Sequence, residues 1–127
     1  MSESLGIPQN IIVTRNEVLE KYPDMSKRVL KAYIQGMQLA KFNKREAIKA
    51  GYESGLSGET DIVNAAYDLY APGLTADLSI VTGGLQQMLD EDIRAGLVDK
   101  NFTLDRVVND RILKIAQQEL RAESRLK

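Results

Sequence analysis

Pro23-Asp24-Met25-Ser26-Lys27-Arg28-Val29-Leu30-Lys31-Ala32-Tyr33-Ile34-Gln35-Gly36-Met37, continued by Gln38-Leu39-Ala40-Lys41-Phe42, decides the fold class of this 127-residue chain. Val29, Leu30, Tyr33, Ile34, Met37 and Ala40 recur at three- and four-residue steps, which gives one apolar stripe on an α-helix. Pro23 fits the first turn, where its missing N–H costs nothing, and Asp24 suits the positive end of the helix dipole. The spacing predicts a helix from Pro23 to about Phe42.

Working toward the N-terminus, Thr14 or Asn16 can cap a short helix ending at Lys21. Before it, Asn10-Ile11-Ile12-Val13-Thr14-Arg15 reads as one short strand, because three consecutive β-branched residues suit a strand buried on both faces. Leu78–Val81 is a weaker strand candidate. Residues 1–9 read as an extended lead-in punctuated by Gly6 and Pro8.

Toward the C-terminus, Asn43 caps a helix from Lys44 to about Ala50, with Gly51 as its stop. The glycine-rich stretch 51–58 is a connector. It lacks the Gly-Lys-Ser/Thr ending of a phosphate-binding loop. A helix follows from Glu59 to Tyr70 and ends at Pro72-Gly73. Thr82 caps the next, with Leu85, Met88, Leu89 and Ile93 inward and Gly96 as its stop. Thr103 caps the last, with Leu104, Val107, Val108, Ile112 and Ile115 inward, and 121–127 reads as a frayed polar tail. The expected fold is mainly α, with five or six helices and one short N-terminal strand in a single, partial domain. The expected core sets Val29, Leu30, Tyr33, Ile34 and Met37 against Leu85, Leu89, Val108 and Ile112. A lone strand leaves its own backbone groups unpaired, so it calls for a partner outside the chain.

Composition narrows the chemistry. The chain has no Cys and no His, which removes disulfides, thiol nucleophiles, His-based triads and the commonest metal ligands. No enzyme role, cofactor or metal site is expected. Its net charge of −1 argues against a dedicated nucleic-acid binder. No apolar run approaches the roughly 20 residues of a membrane span, so no membrane insertion is expected. The start Met1-Ser2-Glu3-Ser4 has no basic region and no apolar region, so no secretory signal is read there; as written, the chain stays cytoplasmic.

Residues 1–58 hold nine basic and six acidic groups, and residues 59–127 hold eight and twelve. Lys27, Arg28, Lys31, Lys41, Lys44, Arg45 and Lys49 therefore read as a solvated helix face rather than an anionic-partner surface. The triplet Asp90-Glu91-Asp92 cannot converge on one ion, because successive helix residues point about 100° apart. Thr82-Gly83-Gly84 opens a helix and exposes backbone N–H groups. It reads either as an anion-holding turn or as a flexible helix entry. Tyr33 and Tyr67 read as core or boundary tyrosines.

In order, Gly6-Ile7-Pro8, Ile12-Val13-Thr14-Arg15, Tyr22-Pro23-Asp24 and Val29 to Gly36, then Tyr67 to Leu74, Gly84 to Asp90 and Val107 to Asp110, form a recurrent pattern. That pattern resembles the C-terminal portion of the periplasmic solute-binding proteins of nitrate/taurine/sulfonate-type ABC transporters, a superfamily that includes thiamine-pyrimidine precursor proteins. Asn109 departs from an acidic preference there, and Ser26 from an apolar one. The resemblance implies the final part of a two-lobed α/β fold that captures a small solute in the periplasm and delivers it to a permease. It implies Thr14 and Arg15 as ligand-facing residues at a strand end, where open α/β sheets place ligands. Alone, such a portion is expected to bind the solute poorly. The rival reading is a standalone helical interaction module that works as a homo-oligomer.

Overall fold

A computed structural model describes residues 11–125. Six α-helices follow one another: α1 Asn16–Lys21, α2 Pro23–Phe42, α3 Lys44–Glu53, α4 Thr60–Tyr70, α5 Thr82–Arg94 and α6 Arg111–Arg125. Two 3-10 turns, Ala71–Gly73 and Leu104–Arg106, complete the regular structure. The fold is mainly helical, and Pro23 opens α2 as the sequence predicts.

Helix α2 is the spine. It packs against α1, α3, α6 and the Ala71–Gly73 turn, while α4 packs against α3. The core lies where α2 meets α6: Ile34, Leu113 and Ala116 are buried together, with Leu30, Leu78 and Leu120 packed around them. This core is narrower than the sequence suggests. Ile34 is 1% exposed, whereas Val29 and Tyr33, one residue to the side, are 46% and 54% exposed. Of the expected partners, Ile112 and Leu89 are buried and Leu85 and Val108 half-buried, but none of the four joins this cluster, and the element α5 packs against is the Leu104–Arg106 turn, not α2 as the sequence predicts. Leu113 and Ala116 were not in the expected stripe.

The expected strand is corrected. Ile11–Arg15 pairs with nothing, and no strand occurs among the described residues, so no ladder partner exists to bury it. Ile11, Ile12 and Val13 are exposed instead. Leu78–Val81 is also not a strand. Leu78 closes a turn by donating to the Thr75 carbonyl at 3.2 Å, and its φ of 60° breaks extended geometry. The lead-in 1–9 and Asn10 lie outside the described residues, as do the last two residues of the tail. The rest of that tail is helix rather than frayed, because α6 continues through it and Ser124 Oγ donates to the Arg121 carbonyl at 2.9 Å.

Helix ends explain two further shifts and one agreement, the stop of α5 at Gly96. Helix α3 does not stop at Gly51. Leu56 N–H donates to the Gly51 carbonyl at 2.9 Å and Gly55 N–H to the Tyr52 carbonyl at 3.1 Å. That is a Schellman closure, and Gly55 takes its left-handed position at φ 99°. The same closure ends α5, with Gly96 at φ 73° donating to the Ile93 carbonyl and Leu97 to the Asp92 carbonyl. Thr103 does not cap the last helix. Residues 104–106 close a 3-10 turn, and α6 begins only at Arg111, whose N–H is accepted by Asn109 Oδ1 at 3.2 Å. Val107 is thereby left 65% exposed. At α3 the expected cap holds: Asn43 Oδ1 accepts from Glu46 N–H at 3.2 Å.

Candidate functional site

The residues expected to face a ligand fall into two separate places. Thr14 and Arg15 are exposed at the start of α1, where the Arg15 carbonyl accepts from Val18 N–H at 3.0 Å. Thr82 is the first residue of α5 rather than its cap; Val81 holds the cap position and makes no side-chain cap bond. Thr82 and Gly83 are exposed, and Gly84 is buried. Helix α1 packs on α2 and α5 on the Leu104–Arg106 turn, so the two sets do not converge. Neither set lines either of the two best-formed clefts.

The first of those clefts has mixed walls and the second has mainly polar ones. The first, of about 210 Å³, lies between α2 and α6, with Ile34 and Leu120 among its walls beside Gln35, Gln38, Asp77 and Arg121. Gln117 Nε2, also on its wall, donates to the Asp77 carbonyl at 2.8 Å. The Ser79 N–H, donating to Asp77 Oδ1 at 3.0 Å, holds the Asp77 carboxyl below its usual pKa, helped by the Arg121 charge. The second cleft, about 380 Å³, separates Asn16, Leu19 and Glu20 of α1 from residues 105–111. No cluster of acidic side chains able to hold a metal occurs among the described residues.

The basic first half is not merely solvated. Lys27 Nζ pairs with Glu119 at 2.8 Å, and Lys31 Nζ pairs with Glu119 at 3.3 Å and with Glu123. Lys44 meets Asp68 at 2.7 Å, and Lys41 Nζ donates to the Leu74 carbonyl at 2.6 Å. These bonds tie α6 and α4 to the α2–α3 scaffold. Tyr67 is a boundary tyrosine whose hydroxyl donates to the Lys41 carbonyl at 3.1 Å.

The ion pairs set a pH response. Hydrogen bonds from Lys27 and Lys31 hold the Glu119 carboxyl below its usual pKa, and bonds to Glu119 and Glu123 raise the two ammonium groups. A depressed carboxyl stabilises the fold above its unfolded pKa, and that share is lost as pH falls through the folded value. The melting temperature should therefore fall below about pH 4.5, the ordinary glutamate range. In Lys27→Met/Lys31→Met the acid-side slope should be shallower. Equal slopes in thermal melts across pH 3 to 7 would show that the pairs add no stability.

What the described surface offers most plainly is uncovered apolar area. Tyr22, Met25, Val29 and Tyr33 form an exposed row at three- and four-residue steps along one side of α2. Ile62, Leu69 and Tyr70 of α4 are exposed as well. Isolated exposed apolar residues are ordinary, whereas a row of them along one helix is a candidate docking surface.

No family model matches this chain, and no curated protein or solved structure matches it significantly. No helix of the described residues is long and apolar enough to cross a membrane.

Proposed function

We propose that this chain is the helical C-terminal portion of a two-lobed solute-binding protein of ABC import, and that its uncovered apolar surface docks on the remainder of that protein. One observation supports the reading most: the exposed apolar side chains along α2 and α4, Tyr22, Met25, Val29 and Tyr33 with Ile62, Leu69 and Tyr70. The exposed β-branched run Ile11-Ile12-Val13 fits it, since such a run gains stability only when a neighbouring sheet edge covers it. The role is capture and delivery of a small solute, not catalysis. In the whole protein the solute would lie between lobes, with Thr14 and Arg15 toward it; Thr82-Gly83-Gly84 stands apart from them and is not part of that contact.

The second reading is a standalone helical module whose Tyr22–Tyr33 row is covered by another copy. Light scattering separates the two: a monomer at micromolar concentration removes the homo-oligomer.

Calorimetry tests the first reading. Each lost charged hydrogen bond removes about 1.5–3 kcal/mol, so losing several takes a micromolar site past the millimolar range. The chain alone should give no micromolar binding of taurine, nitrate, an alkanesulfonate or a thiamine-type pyrimidine. Grafted in place of the corresponding portion of a taurine-type binding protein, it should restore a solute-dependent rise in melting temperature. Micromolar binding by the isolated chain, lost on Arg15→Ala, or a folded graft with no solute response, would overturn the proposal.

A further inference from the structure

Two bodies can be traced in the packing. The first joins α1, α2, α3, α4 and α6 around Ile34, Leu113 and Ala116, and none of the residues in that cluster or packed on it lies between 79 and 112. Side-chain bonds stitch it across long sequence separations: Lys27 and Lys31 to α6, Lys44 to Asp68, and Gln117 to Asp77.

Residues 82–107 behave differently. Helix α5 buries Gly84 and Leu89, and the element packed against it is the Leu104–Arg106 turn. Its side-chain bonds are internal: Gln86 Nε2 to Asp90 at 2.9 Å, Asn101 N–H to Asp99 at 2.7 Å, and the Arg106 guanidinium over the Phe102 ring at 5.4 Å. Among the described residues, no side-chain hydrogen bond or ion pair crosses from 82–107 to the rest of the chain. The segment is attached through two irregular connections. One is Leu74–Val81, where Leu78 is held at φ 60°, a conformation that costs a non-glycine residue about 1–2 kcal/mol. The other is Val107–Asp110, between the 3-10 turn and α6. The larger cleft lies on this seam, with Asn16, Leu19 and Glu20 on one wall and, on the other, Asp105 and Arg106 at the end of the segment followed by the connection from Val107 to Arg111.

We propose that residues 82–107 form an arm that moves as one body about Leu74–Val81 and Val107–Asp110, opening and closing the cleft against α1. Segments with few buried contacts to the remainder open at lower free energy and as cooperative units. The inference stands on packing alone and holds under either reading of the function.

Hydrogen exchange of the full chain tests it. Amides of α5 should exchange at least about tenfold faster than those at the centre of α2 and α6, and at a common rate. Leu89→Ala should accelerate exchange within 82–107 and leave α2 and α6 unchanged. Because the chain has no Cys, spin labels can be placed cleanly at introduced cysteines. The Glu91/Ala122 pair should give a broader distance distribution than Lys49/Ala122, which lies within the first body. If Leu89→Ala fails to fold, the wild-type exchange and the two distance distributions decide. Equal protection of α5 and α2, or equally narrow distributions, would overturn the arm.

Discussion

Ile34→Ala should lower unfolding stability by about 2–5 kcal/mol, measured by urea titration with the slope unchanged. Ile34 is 1% exposed and its neighbours come from three places in the chain: Leu30 on its own helix, Leu78 from the turn, and Leu113, Ala116 and Leu120 from α6. Two helices already tied by the Lys27 and Lys31 ion pairs cannot slide together to fill the void, so the cost should sit above the methylene transfer term alone. Domains of this size hold about 5–15 kcal/mol in total, and one exposing so much apolar surface belongs at the low end. The substitution should therefore leave a substantial unfolded population without denaturant. Tyr33→Ala, at a residue 54% exposed, should change stability by less than about 0.5 kcal/mol. A loss below about 0.5 kcal/mol at Ile34 would mean that α6 is not packed on α2.

That contrast between adjacent residues marks where sequence reasoning reached its limit. Periodicity located α2 and the side of it that is apolar, but that side is wide enough to hold two rows. Only the position of α6 decides that Leu30 and Ile34 go inside and Val29 and Tyr33 stay out. A usable signal existed for that position. Lys27 and Lys31 stand four apart, as do Glu119 and Glu123, and two such pairs of opposite charge on two amphipathic helices select a register. The end of α3 was legible in the same way, since the pattern Gly55-Leu56 after a helix fits a Schellman closure as well as Gly51 fits a simple stop. The strand was not legible as absent. Ile11-Ile12-Val13 has strand chemistry, and what it lacks is a second strand, which no local reading can supply. For the same reason the candidate ligand residues remain apart: Thr14 and Arg15 derive their proposed role from a sheet that the described residues do not contain.

Ala116→Asp should be the most damaging single substitution, costing about 3–5 kcal/mol at pH 7. Ala116 is 0% exposed beside Ile34 and Leu113, so a carboxylate there meets hydrocarbon. The amide of the next residue on α6, Gln117, already donates to the Asp77 carbonyl at 2.8 Å. Desolvation disfavours the charged form and lifts the introduced carboxyl above its unfolded value of about 3.9. The sign follows from linkage. Protonated and neutral, the group costs only the burial of an unpaired polar side chain, about 1–3 kcal/mol, and the penalty grows as pH rises above the unfolded value until the folded value is passed. The wild type moves the other way at the acid end, because its Glu119 and Asp77 carboxyls are held low. The difference in stability between wild type and Ala116→Asp, measured by urea titration at matched pH, should therefore be smallest near pH 3.5 and largest near pH 7. Ala116→Asn, which cannot ionise, should show a difference independent of pH. A pH-independent penalty for Ala116→Asp, or one below about 1 kcal/mol, would show that water reaches the α2–α6 seam and that the core identified there is not dry.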